Sequence, residues 1–149
     1  MPGMRGRARL LAPALIAALG GCGGGSSPSA PSSPPPPQRT LIAQATQGGI
    51  APSSGGVAYF LVVNVSAVTT NAVLEATVDW TSASNQIALV WAQGDCTTDP
   101  NCSPIAQNTS PAKPKTVTTP LLAAGNYTLA IVNLGTTEES VTYQIFIIH

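Results

Sequence analysis

Histidine occurs once in this chain, at position 149. A hydrolytic triad needs a base held by a third group, and His149 is a poor candidate for that base. No Gly-x-Ser-x-Gly elbow supplies a nucleophile. Charged side chains make up 8% of the residues and aromatic ones 5%. Beyond residue 22 the basic residues are Arg39, Lys113 and Lys115. They stand against Glu75, Asp79, Asp95, Asp99, Glu138 and Glu139, a formal net charge of −3. With no basic stripe to displace counterions, nucleic acid is excluded as a partner. Glu75 and Asp79 share one face of a strand, but roughly 13 Å of strand separates them, beyond the usual glycosidase spacing. No apolar run approaches the roughly 20 residues of a spanning helix. These absences point to a chain that is not an enzyme and carries no cofactor.

What is present begins with an address. Residues 1 to 9 are short and basic, with Arg5, Arg7 and Arg9. Leu10 to Leu19 is apolar except for Pro13, the length of the h-region of a secretory signal. Leu19-Gly20-Gly21-Cys22 resembles the lipobox of bacterial lipoproteins: an aliphatic residue, two small residues, then cysteine. The resemblance implies cleavage after residue 21, acylation of Cys22 and a membrane held through lipid. It also implies placement in the cell envelope, at the outer membrane, since Gly23 is not the Asp that favours inner-membrane retention. One acyl chain holds weakly, whereas two or three on one cysteine hold stably. An ordinary cleaved signal beside a free cysteine is the competing reading.

Residues 23 to 39 are Gly, Ser and Pro apart from Ala30, Gln38 and Arg39. Such a segment cannot offset its ordering entropy, so a disordered linker is expected over 22–39. Extended, it reaches roughly 50 Å at ~3.1 Å per residue. With Cys22 assigned to lipid, Cys96 and Cys102 remain, in DCTTDPNC. An exported compartment permits a disulfide between them. Closing so short a loop stabilises by roughly 2 kcal/mol. A metal site is disfavoured, because two thiolates need further ligands.

From Thr40 onward the hydrophobic period is two. In 74–80, Leu74, Ala76, Val78 and Trp80 alternate with Glu75, Thr77 and Asp79. Similar runs lie at 58–65, 86–93, 126–134 and 140–148, with weaker ones at 40–47 and 115–122, and turn residues between them. The expectation is an all-β, antiparallel β-sandwich over 40–149, jelly-roll-like, of about seven to eight strands. The stretch 94–114 is expected to be the longest irregular one. The segments ATVDWTSASNQIALVW and LLAAGNYTLAIVNLGTTEESVTYQIFI resemble the bacterial pre-peptidase C-terminal domain, a small jelly-roll-like sandwich. Trp80, Leu89, Gly125, Tyr127, Leu129 and Ile131 match its pattern. Gln86 and Ala88 stand where members often carry Asp, so the calcium binding of some members does not carry over to this chain.

Trp80, Trp91 and Tyr59 are the ligand-binding candidates, as faces on which a sugar ring stacks; for both tryptophans core packing is the favoured reading, because each lies in phase with aliphatic neighbours. Tyr127 is expected to tie a loop to the sandwich. Asp95, Asp99 and Asn101 offer oxygens for Ca²⁺, against ordinary turn chemistry. Glu138-Glu139 is expected to be a solvated hairpin turn. The resulting expectation is a lipid-anchored, non-catalytic binding module of the cell envelope. Its partner is either polysaccharide or peptidoglycan, or an envelope protein for which it serves as adapter; a spacer role is a third reading. An exposed aromatic among Tyr59, Phe60, Trp80, Trp91 and Tyr143 marks the first, an exposed apolar patch or strand edge the second.

Overall fold

The computed structural model describes residues 34–55, 58–99 and 102–149. The expected signal peptide 1–21, Cys22, the expected linker up to residue 33 and Asn101 lie outside the described residues. Eight strands follow in order: β1 (Arg39–Ile50), β2 (Tyr59–Val65), β3 (Val73–Trp80), β4 (Ile87–Gln93), β5 (Ser103–Asn108), β6 (Lys115–Pro120), β7 (Gly125–Asn133) and β8 (Glu139–Ile148). They form two four-stranded sheets, β1-β8-β3-β6 and β2-β7-β4-β5. All the strand pairings are antiparallel. The expected all-β sandwich is the observed fold. Among the described residues no helix is long and apolar enough to cross a membrane.

The alternation read from the sequence sets which side chains meet between the sheets. Leu74, Ala76, Val78 and Trp80 of β3 are buried with Val141, Tyr143 and Ile145 of β8. Facing them are Ile87, Leu89 and Trp91 of β4 and Tyr127, Leu129 and Ile131 of β7. Both indoles satisfy their N–H as they bury: Trp80 Nε1 donates to the Asn85 carbonyl at 3.0 Å, and Trp91 Nε1 donates to the Val117 carbonyl at 3.3 Å. The second bond ties one sheet to the other. Tyr127 is buried, and its hydroxyl donates to the Ala123 carbonyl at 2.9 Å, fastening the turn before β7.

β5 corrects the expectation of an irregular 94–114. Its sequence SPIAQN carries no apolar alternation, because Ala106 is its contribution to the core and Ile105 is exposed. A β-bulge between Trp91 and Ala92 brings it into register with β4.

The sandwich has two ends. At one, the chain passes between β1 and β2, β3 and β4, β5 and β6, and β7 and β8. At the other lie the disulfide loop 94–102, the turns 66–72 and 121–124, and the pairing of Gln38 with His149. Those two residues exchange backbone hydrogen bonds of 2.7 and 3.0 Å.

Candidate functional site

An antiparallel sandwich normally shows polar outer faces to water. The β1-β8-β3-β6 sheet does so. Its outward rows run Thr46–Thr142–Asp79 and Gln44–Gln144–Thr77–Thr116 across the strands. Thr46 and Thr142 share a hydroxyl hydrogen bond of 3.0 Å, and Thr77 and Thr116 one of 2.9 Å. A shallow polar depression of about 250 Å³ lies between Thr46, Asp79, Ser140 and Thr142.

The other sheet breaks the pattern. Its outward rows run Phe60–Ala130–Val90–Gln107 and Val62–Thr128–Ala92–Pro104, with Val132 beside Ala88, and polar side chains enter only at Gln107, Thr128 and the Asn64–Asn126 pair. Alanines at 92 and 130 form a low floor between Phe60 on β2 and Pro104 on β5. The result is an open apolar trough of about 380 Å³. Phe60 stands 42% exposed at its wall. Among the described residues Asp99 is the one charged side chain lining it.

The trough's opposite rim is the disulfide loop. Cys96 and Cys102 form the expected disulfide, with Cα atoms 5.2 Å apart. Gly94 opens the loop at φ 101°, a conformation that favours glycine. Thr128, buried in the outer face, pins the loop down: its hydroxyl donates to the Gly94 carbonyl at 2.7 Å and accepts from the Cys96 N–H at 3.0 Å. Loop and sheet therefore present one continuous surface.

The candidate aromatics go elsewhere. Trp91 is 0% and Trp80 4% exposed, so neither indole offers a face to a sugar. Their phase places them in the core, the reading that the alternation favoured over a stacking platform. Tyr59 is half-buried and packs against the core. Burial pushes the Tyr143 hydroxyl above the usual phenol range, and Tyr59 beside it adds to the effect by charge and hydrogen bonding. Tyr59 therefore serves the join between the sheets, not a stacking face. Phe60, one residue away, carries the exposed ring.

Asp95 is engaged within its own turn. Its carboxylate accepts from the Thr97 N–H at 3.0 Å and from the Thr97 hydroxyl. Its carbonyl accepts from the N–H of Thr98 and of Asp99. That is turn chemistry; Asn101, the third oxygen candidate, lies outside the described residues. Among the described residues no three His, Cys, Asp or Glu side chains converge.

The loops opposite the disulfide are held by a buried carboxylate that the sequence reading placed in a solvated turn. Glu138 is exposed, but Glu139 is 2% exposed. One Glu139 oxygen accepts from the Thr81 N–H at 3.1 Å, the Ser82 N–H at 3.1 Å and the Thr81 hydroxyl. The other accepts from the Asn85 amide at 2.6 Å. Asn85 also donates to the Thr137 hydroxyl at 2.8 Å. Asn133 donates to the carbonyls of Ile50 and Thr137. Burial pushes the Glu139 carboxyl up, but the bonds from Thr81, Ser82 and Asn85 outweigh it and hold it below the usual carboxylate value. A methyl group on Gly135 would overlap the Asn85 side chain, so glycine there is a matter of space. Residue 139 is in phase with Val141, Tyr143 and Ile145; that parity was the available signal.

The same parity holds for Lys115, in phase with Val117 and Thr119. It is buried, donates to the Ile87 carbonyl, and lies 5.6 Å from the centre of the Trp80 ring. Burial lowers its pKa. Lys113 approaches the same ring at 5.8 Å and pairs with Asp79 at 3.4 Å. Both belong to the scaffold under the loops, away from the trough.

No family model matches this chain, and no curated protein does. The residues that resemble the pre-peptidase C-terminal domain fall at the end of β3 (Trp80), in β4 (Leu89) and along β7 (Gly125 to Ile131). Among solved structures, the chain is similar to the Yersinia pseudotuberculosis-derived mitogen: 13% identity over 73% of this chain and 85% of that one, TM-score 0.49. It is also similar to the CBM22-1–GH10 modules of Clostridium thermocellum endo-1,4-β-D-xylanase 10B, complexed with xylohexaose: 14% identity over 76% of this chain and 26% of that one, TM-score 0.37. At these scores neither likeness bears on what this chain binds.

Proposed function

We propose that this chain is a lipid-anchored, non-catalytic binding module of the cell envelope, and that its partner is a protein presenting apolar side chains. The trough between Phe60 and Pro104 carries this reading. Apart from Asp99 at the rim, its lining side chains are apolar or sulfur-bearing, so sugar hydroxyls buried on the floor would lose their water without replacement. An apolar protrusion would gain roughly 25 cal/mol for each Å² removed from water. Trp80 and Trp91 are shielded, and the exposed aromatic, Phe60, stands among aliphatic side chains and not beside the polar groups a sugar would need. The resemblance to the pre-peptidase C-terminal domain accords with an accessory module, and the lipobox with an anchor at the outer membrane.

A photo-reactive phenylalanine analogue at position 60 of the full-length lipoprotein tests the site in cells. The expected result is a discrete protein adduct that Val90→Glu abolishes and that the same analogue at Thr118, on the polar sheet, does not form. Val90 is half-buried on the outer face, so its replacement costs stability only about 1 kcal/mol. Retention on purified peptidoglycan that survives Val90→Glu, with no adduct at position 60, would overturn the reading in favour of polysaccharide.

The anchor is tested separately. Cys22→Ala is expected to move the protein from the membrane pellet to the soluble fraction. Normal processing with continued membrane association would remove the lipid from the account.

A further inference from the structure

We infer that an extended segment of the protein partner adds to β2 as a further strand of the β2-β7-β4-β5 sheet, a step that rests on the partner being the protein that meets the apolar trough. Edge strands expose unpaired N–H and C=O groups, and proteins blunt them with proline, charge, bulges or short length. Three of the four edges of this sandwich are blunted so. β1 shifts register between Leu41 and Ala43 and again between Gln47 and Ile50, with Gly49 at φ 73°. β5 contains Pro104 and pairs with β4 across a bulge. β6 ends in Pro120, and Asn108 of β5 donates across to its Thr116 carbonyl at 2.7 Å, closing that side. β2 has none of these devices. Its seven residues, YFLVVNV, pair with β7 at consecutive positions from Tyr59–Ile131 to Val65–Gly125, and on that side only. The ladder shows which of its groups are free. The Gly94 N–H donates to the Asn126 carbonyl and the Leu134 N–H to the Gln86 carbonyl, both continuing the β4–β7 register. Even-numbered residues of β7 therefore turn their backbone groups to β4, and odd-numbered ones turn theirs to β2. Hence Tyr59, Leu61, Val63 and Val65 bond to β7, while Phe60, Val62 and Asn64 direct N–H and C=O to the open edge. Phe60 thus belongs at once to the edge and to the wall of the trough.

The surroundings of the edge set the chemistry of its occupant. No charged residue lies between Arg39 and Glu75 in the sequence, and β7, the neighbour of β2, has none either. A charged side chain brought against this edge would lose water without gaining a counter-charge. On the inner face Tyr59 and Leu61 are half-buried, although both pack against the core. The added segment is therefore extended, uncharged and apolar on both phases. One set of its side chains covers the flank of Tyr59 and Leu61, and the other lies beside Phe60 and Val62. A single segment also needs less room than a second domain. β5 and β6 meet on one side of the sandwich, so β1 borders β2 on the other, where a cleft runs between Gly48, Ile50 and Tyr59. A whole domain paired to β2 would have to clear β1; one strand would not.

Full-length lipoprotein in cells, carrying the photo-reactive phenylalanine analogue at position 60 or at position 64, tests the pairing. The partner residues captured from the two positions are expected to lie about four apart in one segment of one protein, as strands in register require. Val62→Pro removes the central edge N–H and leaves the β7 ladder intact, whereas Val62→Ala keeps that N–H. With the analogue at position 60, Val62→Pro is expected to cut the adduct roughly tenfold relative to Val62→Ala. Thermal unfolding of both variants shows that the fold survives; were Val62→Pro to unfold, the spacing of the captured residues decides alone. Equal adducts from the two folded variants, or captured residues scattered over separate segments, would overturn strand addition and leave the proposed function standing. An adduct of twice the chain's own mass would overturn it in favour of a second copy of this chain. No adduct at position 60 of the otherwise unaltered chain would remove the proposed function, and strand addition with it.

Discussion

Glu139→Ala is expected to lower the stability of the domain by roughly 2–4 kcal/mol, the scale of leaving buried neutral donors without their charged acceptor. The carboxylate accepts from the Thr81 N–H, the Thr81 hydroxyl, the Ser82 N–H and the Asn85 amide. Alanine leaves those donors facing a cavity in place of an acceptor, and each buried unmet donor costs about 1–3 kcal/mol. Relaxation toward water at the loops recovers part of this. The measurement is urea unfolding of the purified protein, read as a shift in midpoint at constant slope. Because the folded carboxyl titrates below its unfolded value of 4.5, its contribution is fully present above about that pH. It is lost as pH falls through the lower, folded value. Wild type should therefore lose stability in that acid window more steeply than Glu139→Gln. A midpoint unchanged in Glu139→Ala, or parallel acid profiles, would show that the carboxylate does not hold the loops.

Trp91→Ala is expected to cost about 3–5 kcal/mol, by cavity formation in the centre of the core. The indole is fully buried, and its N–H reaches the Val117 carbonyl in the opposite sheet. Truncation thus removes packing and a link between the sheets together. Against a typical total of about 5–15 kcal/mol, such a loss should bring the unfolding midpoint close to that of an unstable domain. Phe60→Ala, on the exposed wall of the trough, should cost far less and act on binding instead. Thermal unfolding of the two variants separates core from surface. A stable Trp91→Ala variant that had lost only ligand binding would restore the stacking platform.

Where alternation was strict, the sequence was enough to place a strand and its inward face: Leu74 to Trp80 and Val141 to Ile147 show this. β5 escaped because an edge strand needs only one side chain in the core, and Ala106 is no signal on its own. Glu139 and Lys115 escaped for another reason. Charge argued for the surface, while parity placed both inward, and parity won because each found hydrogen-bonding partners there. The apolar trough was legible in part. YFLVV at 59–63 and IALVWA at 87–92 are apolar on both phases, the mark of a sheet covered on two sides. One of those sides is the core. The other is the open floor of the trough. The depth of the trough depends on which residues stand opposite one another, Ala130 against Val90 and Phe60, and that is a property of register.

The pairing of Gln38 with His149 also fixes how the domain answers a pull. Tension applied at residue 38 along the line of β1 slides that strand lengthwise past β8. The nine paired positions between them are then strained side by side, not one after another. A sideways tug would instead open the same ladder like a zipper, a bond at a time. The domain is therefore a stiff link along one axis and a weak one across it, and the direction from which force arrives decides which of the two is met.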